Sequence, residues 1–122
     1  MIRVLIVDDE QACRDSLKLL LSLENFDVEV AADGQEALEV GNRFSPEILL
    51  VDWMLRNRMD GLAVAAALRE VNPKLETIAI SGHPSADLES NVKGLPATQY
   101  LSKPFLPAEL IEAVRQAAER LG

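Results

Sequence analysis

The sequence predicts a single α/β domain, a five-stranded parallel sheet with helices on both faces. Three observations carry that prediction. Short apolar runs alternate with longer amphipathic stretches, the βα rhythm from which parallel sheets are built. The apolar runs show no period-two alternation, as expected of strands covered on both sides. No Gly/Ser/Pro-rich linker or internal repeat interrupts the 122 residues, a length typical of one domain, so residues 1–122 read as one unit.

Each element follows from local chemistry. Ile2-Arg3-Val4-Leu5-Ile6-Val7 is β-branched and stops at paired carboxylates, so it reads as a buried strand. A helix opens at Asp9 or Glu10 and runs to about Glu24, with Leu17, Leu20, Leu21 and Leu23 as its apolar face. Val28 to Ala31 is a second strand. Asp33-Gly34 reads as a turn, and Gln35 to Phe44 carries Ala37, Leu38 and Phe44 at helical spacing. Ser45-Pro46 ends that helix, because a residue before proline is pushed out of the α region. Ile48 to Val51 is a third strand ending on Asp52, and Gly61 to Val71 an Ala-rich helix closed by Asn72-Pro73.

Thr77 to Ile80 forms a fourth strand ending on Ser81-Gly82. The stretch from Pro84 to Leu95 is a weak fourth helix, since Ser, Asp, Asn and Gly94 lower its propensity and no strong apolar stripe compensates. Thr98 to Leu101 is a fifth strand and Lys103-Pro104 a tight turn. Pro107 opens a last helix to Leu121, with proline where its missing N–H costs nothing. Right-handed crossovers then place helices on both faces of one parallel sheet.

Bulk properties narrow the function. Hydrophobic residues at 48% and charged residues at 26% exclude a wholly disordered chain. The one cysteine, Cys13, has no internal disulfide partner. The first apolar run stops at Asp8, too soon for a signal peptide, and no stretch approaches the roughly 20 residues that span a bilayer. The expectation is a soluble cytoplasmic protein without membrane contact. A net charge of −8 argues against direct nucleic-acid binding by this domain.

Ligands of an open parallel sheet bind beyond the carboxyl ends of the strands. Here those ends carry Asp8-Asp9, Asp52, Ser81 and Lys103, each just past an apolar run, so all are expected at one edge. Three neighbouring carboxylates repel one another unless a cation offsets them, and oxygen-only ligands suit a hard ion such as Mg²⁺, with Mn²⁺ able to substitute. Lys103 offers a point charge and Ser81 a hydroxyl donor for phosphoryl oxygens. A carboxylate can serve as nucleophile, and Asp52, on the central strand, is best placed for it.

These residues resemble the receiver domain of bacterial two-component response regulators. The resemblance rests on Val7-Asp8-Asp9-Glu10, Val51-Asp52 with Met59-Asp60-Gly61, Ser81-Gly82, and Tyr100-Leu101-Ser102-Lys103-Pro104-Phe105, and it covers nearly the whole chain. It implies a flavodoxin-like (βα)5 fold with strand order 2-1-3-4-5. It further implies a phosphorylation-driven switch, not an enzyme acting on an external substrate. Asp52 would take a phosphoryl group from a histidine kinase or histidine phosphotransfer protein. Asp9, Asp52 and the backbone carbonyl of Met54 would ligate Mg²⁺, with Asp8 acting mainly through water. Lys103, joined to Pro104 by a cis peptide bond, would pair with the phosphoryl oxygens. Ser81 would swing toward the phosphoryl group and let Tyr100 move inward. That motion would alter the face made by the 84–95 helix, the fifth strand and the last helix, through which a homodimer could form.

Simpler roles compete at several positions. One of Asp8 and Asp9 is also expected to cap the first helix, Tyr100 is weighed against plain packing, and His83, Cys13 and Trp53 read as a loop residue, a small helix residue and packing. The loop after Asp52 departs from the family pattern, with Arg56 where proline is usual and one extra residue before Asp60. Two other functions are set against the switch. An aspartyl phosphohydrolase would need a carboxylate two residues after the nucleophile, where Met54 stands. A receiver-like module that only binds partners would not need Asp9, Asp52, Ser81 and Lys103 intact.

Overall fold

The computed structural model describes residues 1–52, 61–81 and 97–121. The expected helix at 84–95 and the readings of Trp53, Met54, the Arg56–Arg58 loop and His83 lie outside the described residues, as does the Ser81 side chain. The order of elements is β1 (Arg3–Val7), α1 (Gln11–Leu23), β2 (Asp27–Ala31), α2 (Gly34–Phe44), β3 (Ile48–Asp52), α3 (Gly61–Val71), β4 (Glu76–Ser81), β5 (Ala97–Ser102) and a C-terminal helix (Pro107–Leu121). The strands form one parallel sheet in the order β2-β1-β3-β4-β5, with the switch in strand order at β1 and β3.

Alternate residues of each central strand feed two cores. Val4, Ile6, Ile48, Leu50, Ile78 and Ile80 pack with Leu17 and Leu21 of α1 and Leu110 and Val114 of the C-terminal helix. Leu5, Val7, Leu49 and Val51 face the other way, against Ala37 and Val40 of α2 and Val64 and Leu68 of α3. Every residue of β3 is buried, which explains why its sequence lacks alternation. On that second face a Cβ on Gly41 would stand 2.3 Å from the Leu68 side chain, so the glycine permits the close approach of α2 and α3.

Three local expectations change. Leu23 is 72% exposed and belongs to no core. At 100° per residue it points well away from Leu17 and Leu21, so being apolar was not enough to place it inside. Asp33 is the N-cap of α2 and not merely a turn residue: its Oδ1 accepts from the Glu36 N–H at 2.8 Å. Neither Asp8 nor Asp9 caps α1, because the cap position is Glu10, whose side chain makes no capping bond. The Asp8 carboxylate instead accepts from the Glu10 N–H at 2.9 Å, a tight turn that frees the chain to enter the helix two residues later.

Candidate functional site

Strand register builds the site. Val7 pairs with Val51, so the residues one step further, Asp8 and Asp52, leave the sheet edge side by side. Asp8 is held on several sides. Its N–H donates to the Ala31 carbonyl at 3.1 Å, continuing the β1–β2 ladder past its last paired residue. Its carbonyl accepts from Arg14 Nη1 at 2.7 Å. Only 1% of Asp8 and 7% of Asp52 is exposed, so both carboxylates need partners that offset the loss of water.

Lys103 supplies much of that compensation. It follows β5 directly, and its peptide bond to Pro104 is cis, as the resemblance implied. From there its Nζ reaches back to Asp8 Oδ2 at 3.0 Å and Asp52 Oδ2 at 3.3 Å. Burial pulls the lysine's pKa down, but the hydrogen bond to Asp8 and the charges of Asp52 and Asp8 outweigh it and hold the ammonium above its ordinary range. The cation therefore stays charged and locked between two acids.

Asp9 stands half-exposed at the rim. Ligand oxygens of Asp8, Asp9 and Glu10 all lie within 4.8 Å of one another, close enough for one ion. A donor set made only of carboxylate oxygens fits a hard divalent cation. Glu10 was legible only as a helix-opening acid, because an exposed glutamate in that position usually serves the helix dipole. Cys13, one turn into α1, is pushed up to about 12 by burial and by its hydrogen bond to Asp8, so its thiol stays protonated. It lines a shallow groove of about 410 Å³ beside the site, between α1 and the segment that follows Lys103, together with Leu17, Leu20 and Phe105.

The other expected site residues divide. Ser81 ends β4 in register with Ser102, which sets its backbone at the same sheet edge. Tyr100 is 41% exposed on β5; Leu101, its neighbour, turns inward to the core shared with the C-terminal helix. The structure thus brings Asp8, Asp52 and Lys103 into direct contact and leaves Asp9 at their edge.

A fold of this order with paired acids, a third acid and a lysine at the strand ends defines a receiver domain, and comparison with known proteins agrees. The family model described as the response regulator receiver domain matches residues 4–115. The chain is 39% identical over 120 residues to "Response regulator MprA" of Mycobacterium leprae, covering 97% of this chain and 51% of that protein. It is 38% identical over 121 residues to "Transcriptional regulatory protein TrcR" of Mycobacterium tuberculosis, covering 98% and 46%. Among solved structures, a CheY-like receiver domain protein from Methanospirillum hungatei superposes with a TM-score of 0.90 at 29% identity, covering 98% of this chain and 96% of that one. A Francisella receiver domain gives 0.88 at 29% identity over the full length of both chains.

The chain belongs to the response regulator receiver domain family of two-component systems. It spans about half the length of the curated relatives it matches. Among the described residues, no helix is long and apolar enough to cross a membrane.

Proposed function

We propose that this domain is a phosphorylation switch that accepts a phosphoryl group on Asp52 from a histidine kinase or histidine phosphotransfer protein in a Mg²⁺-dependent reaction. The observation that carries the proposal is the bridge from Lys103 Nζ to both Asp8 and Asp52 at 3.0 and 3.3 Å. A lysine so placed can follow the phosphoryl oxygens once they arrive beside Asp52.

An Asp52 oxygen forms a bond to phosphorus as the donor's P–N bond breaks. The donor imidazole leaves with the electron pair and takes up a proton, while Asp52 becomes an acyl phosphate. Asp9, Asp52 and the Met54 carbonyl would hold the cation, with Asp8 acting through water and Glu10 as a further acid at the rim. When bound, that ion offsets charge on the phosphoryl group. Burial of Asp8 and Asp52 keeps the surroundings poor in water, where each of these charge contacts counts for more.

Readout is assigned to Ser81 and Tyr100. The outward, part-exposed ring of Tyr100 leaves it free to turn in when Ser81 engages the phosphoryl group. The altered surface is the segment 84–95 with β5 and the C-terminal helix, the face assigned to homodimer formation and to control of an output. A net charge of −8 favours an output that does not rest on nucleic-acid binding by this domain itself. Its own chemistry is limited to taking and slowly losing the phosphoryl group, in a cytoplasmic setting.

The test is intact-mass measurement after incubation with Mg²⁺ and acetyl phosphate. A phosphate-sized gain is expected, absent in Asp52→Asn and without the metal. A wild-type chain that never gains mass favours a binding module instead. Turnover of many phosphoesters, without accumulation on Asp52, favours the phosphohydrolase.

A further inference from the structure

We infer that Gln99 is a positioning residue of β5. Its side-chain amide, bonded to the C-terminal helix, holds the strand in a register shifted by one residue, and that register turns Tyr100 outward and brings Lys103 to the site. The link to signalling rests on the readout assigned above; the register itself stands on strand pairing. Ala97 pairs with Thr77 and Gln99 with Ile78, so Thr98 is an extra residue, a bulge. Beyond it the strands stay in step, Tyr100 with Ala79, Leu101 with Ile80 and Ser102 with Ser81.

The bulge decides which side chains face which way. Ile78 and Ile80 belong to the core shared with Leu110, Ala113 and Val114 of the C-terminal helix. Gln99 and Leu101, in register with them, face that helix, and Tyr100 between them faces away. Without the extra residue, the register set by Thr77 and Ala97 would continue with Gln99 beside Ala79 and Tyr100 beside Ile80. A slip of one residue exchanges the two faces. Tyr100 would then point at the helix, and Leu101 would leave the core in which it is now only 9% exposed. Lys103 would start about 3.3 Å farther beyond the sheet edge, away from the position that lets it reach Asp8 and Asp52.

The bulged register sets a polar amide against a helix and leaves an aromatic ring outside, the reverse of what apolar burial favours at those two positions. Gln99 offsets this. Its Nε2 donates to the Ala113 carbonyl at 2.7 Å. Ala113 is buried on the C-terminal helix, and its carbonyl oxygen has a second lone pair for such a donor. The bond forms only where Gln99 faces the helix, so it favours the bulged register and not the other.

Tyr100 is the single tyrosine, so a ¹³C-labelled tyrosine ring gives one NMR signal, and amide contacts between β4 and β5 show which residues pair. Wild type is expected to show one signal and the pairing of Gln99 with Ile78. Gln99→Glu keeps the shape, but an ionised glutamate cannot donate to a carbonyl. It is expected to gain a second, shifted tyrosine signal with contacts between Tyr100 and Ile80. Gln99→Ser, too short to reach Ala113, should gain the same signal and carries the test if the first variant does not fold. Deleting Thr98 from the Gln99→Glu chain makes the outward Tyr100 the unbulged arrangement and should restore a single signal near the wild-type position. An amide that only added stability would give no such rescue. A single signal with wild-type pairing in folded Gln99→Glu and Gln99→Ser overturns the inference. Phosphorylation by Mg²⁺ and acetyl phosphate is expected to shift the wild-type tyrosine signal. If the chain gains phosphate and the signal stays in place, the readout assigned to Tyr100 fails while the register role of Gln99 stands.

Discussion

The bodies of the strands and their carboxyl ends differ by a single residue and follow opposite rules. Val51 is wholly buried and apolar, and Asp52, its neighbour in the same strand, is nearly as buried and charged. In the strand bodies the buried apolar side chains are satisfied by contact alone, through two cores on opposite faces of the sheet. At the edge Asp8 and Asp52 are held by polar partners, Lys103 between them, an arrangement that costs stability a purely apolar edge would not. The difference predicts that the two regions fail differently. Changes in the bodies should remove the fold and spare the chemistry of whatever remains folded. Changes at the edge should remove the chemistry and touch the fold lightly.

The largest expected effect tests the first half. Leu50→Ala empties a fully buried position in the core beneath α1 and the C-terminal helix, and should cost about 3 kcal/mol in urea unfolding. Phosphorylation per folded molecule should stay near wild type. A comparable loss of phosphorylation in protein that is still folded would break the separation between body and edge.

A smaller effect tests the second half. Lys103→Met removes the cation between Asp8 and Asp52 and leaves two carboxylates facing each other. Because the lysine side chain retains some exposure, the loss should be about 1 kcal/mol, well below that of Leu50→Ala. Added Mg²⁺ should recover part of it. Unfolding midpoints with and without MgCl₂ measure both, and a loss as large as that of Leu50→Ala would mean the edge is structural after all.

The same contrast explains what could be read from the sequence. The central strands announce themselves through unbroken apolar runs, and Asp8 and Asp52 stand out because each ends such a run; Lys103 stands out through the Pro104-Phe105 that follows it. Their convergence follows from parallel topology, a rule that needs no coordinates. What escaped was set by geometry that leaves no mark on residue type. Leu23 looks like its buried neighbours but lies on another side of the helix. The clasp of Arg14 on the Asp8 carbonyl was invisible because its acceptor is a backbone atom, present at every position. Asp33 was legible as polar punctuation, yet only the observed Glu36 N–H bond distinguishes a cap from a turn.

The smallest effect lies in alkaline solution, where two groups at the edge push in one direction. Cys13 in the folded chain is pushed up to about 12 by burial and by Asp8, whereas an unfolded thiol loses its proton from about pH 8.5. Lys103, held above its ordinary range by Asp8 and Asp52, likewise keeps its proton beyond the unfolded lysine value of about 10.4. In both cases the folded state binds more protons than the unfolded one once pH passes the unfolded value. Stability is therefore complete below that value and falls as pH rises toward the folded one. Cys13 acts first, between about pH 9 and 12, and Lys103 later. The strand residues buried in the two cores contribute nothing to this slope, since none of them titrates. Urea midpoints measured from pH 8 to 10.5 should fall in wild type and fall less steeply in Cys13→Ala. Lys103→Met should change the slope only toward the upper end of that range. Parallel wild-type and Cys13→Ala curves would remove the thiol from the account and leave the lysine as the edge's alkaline weak point.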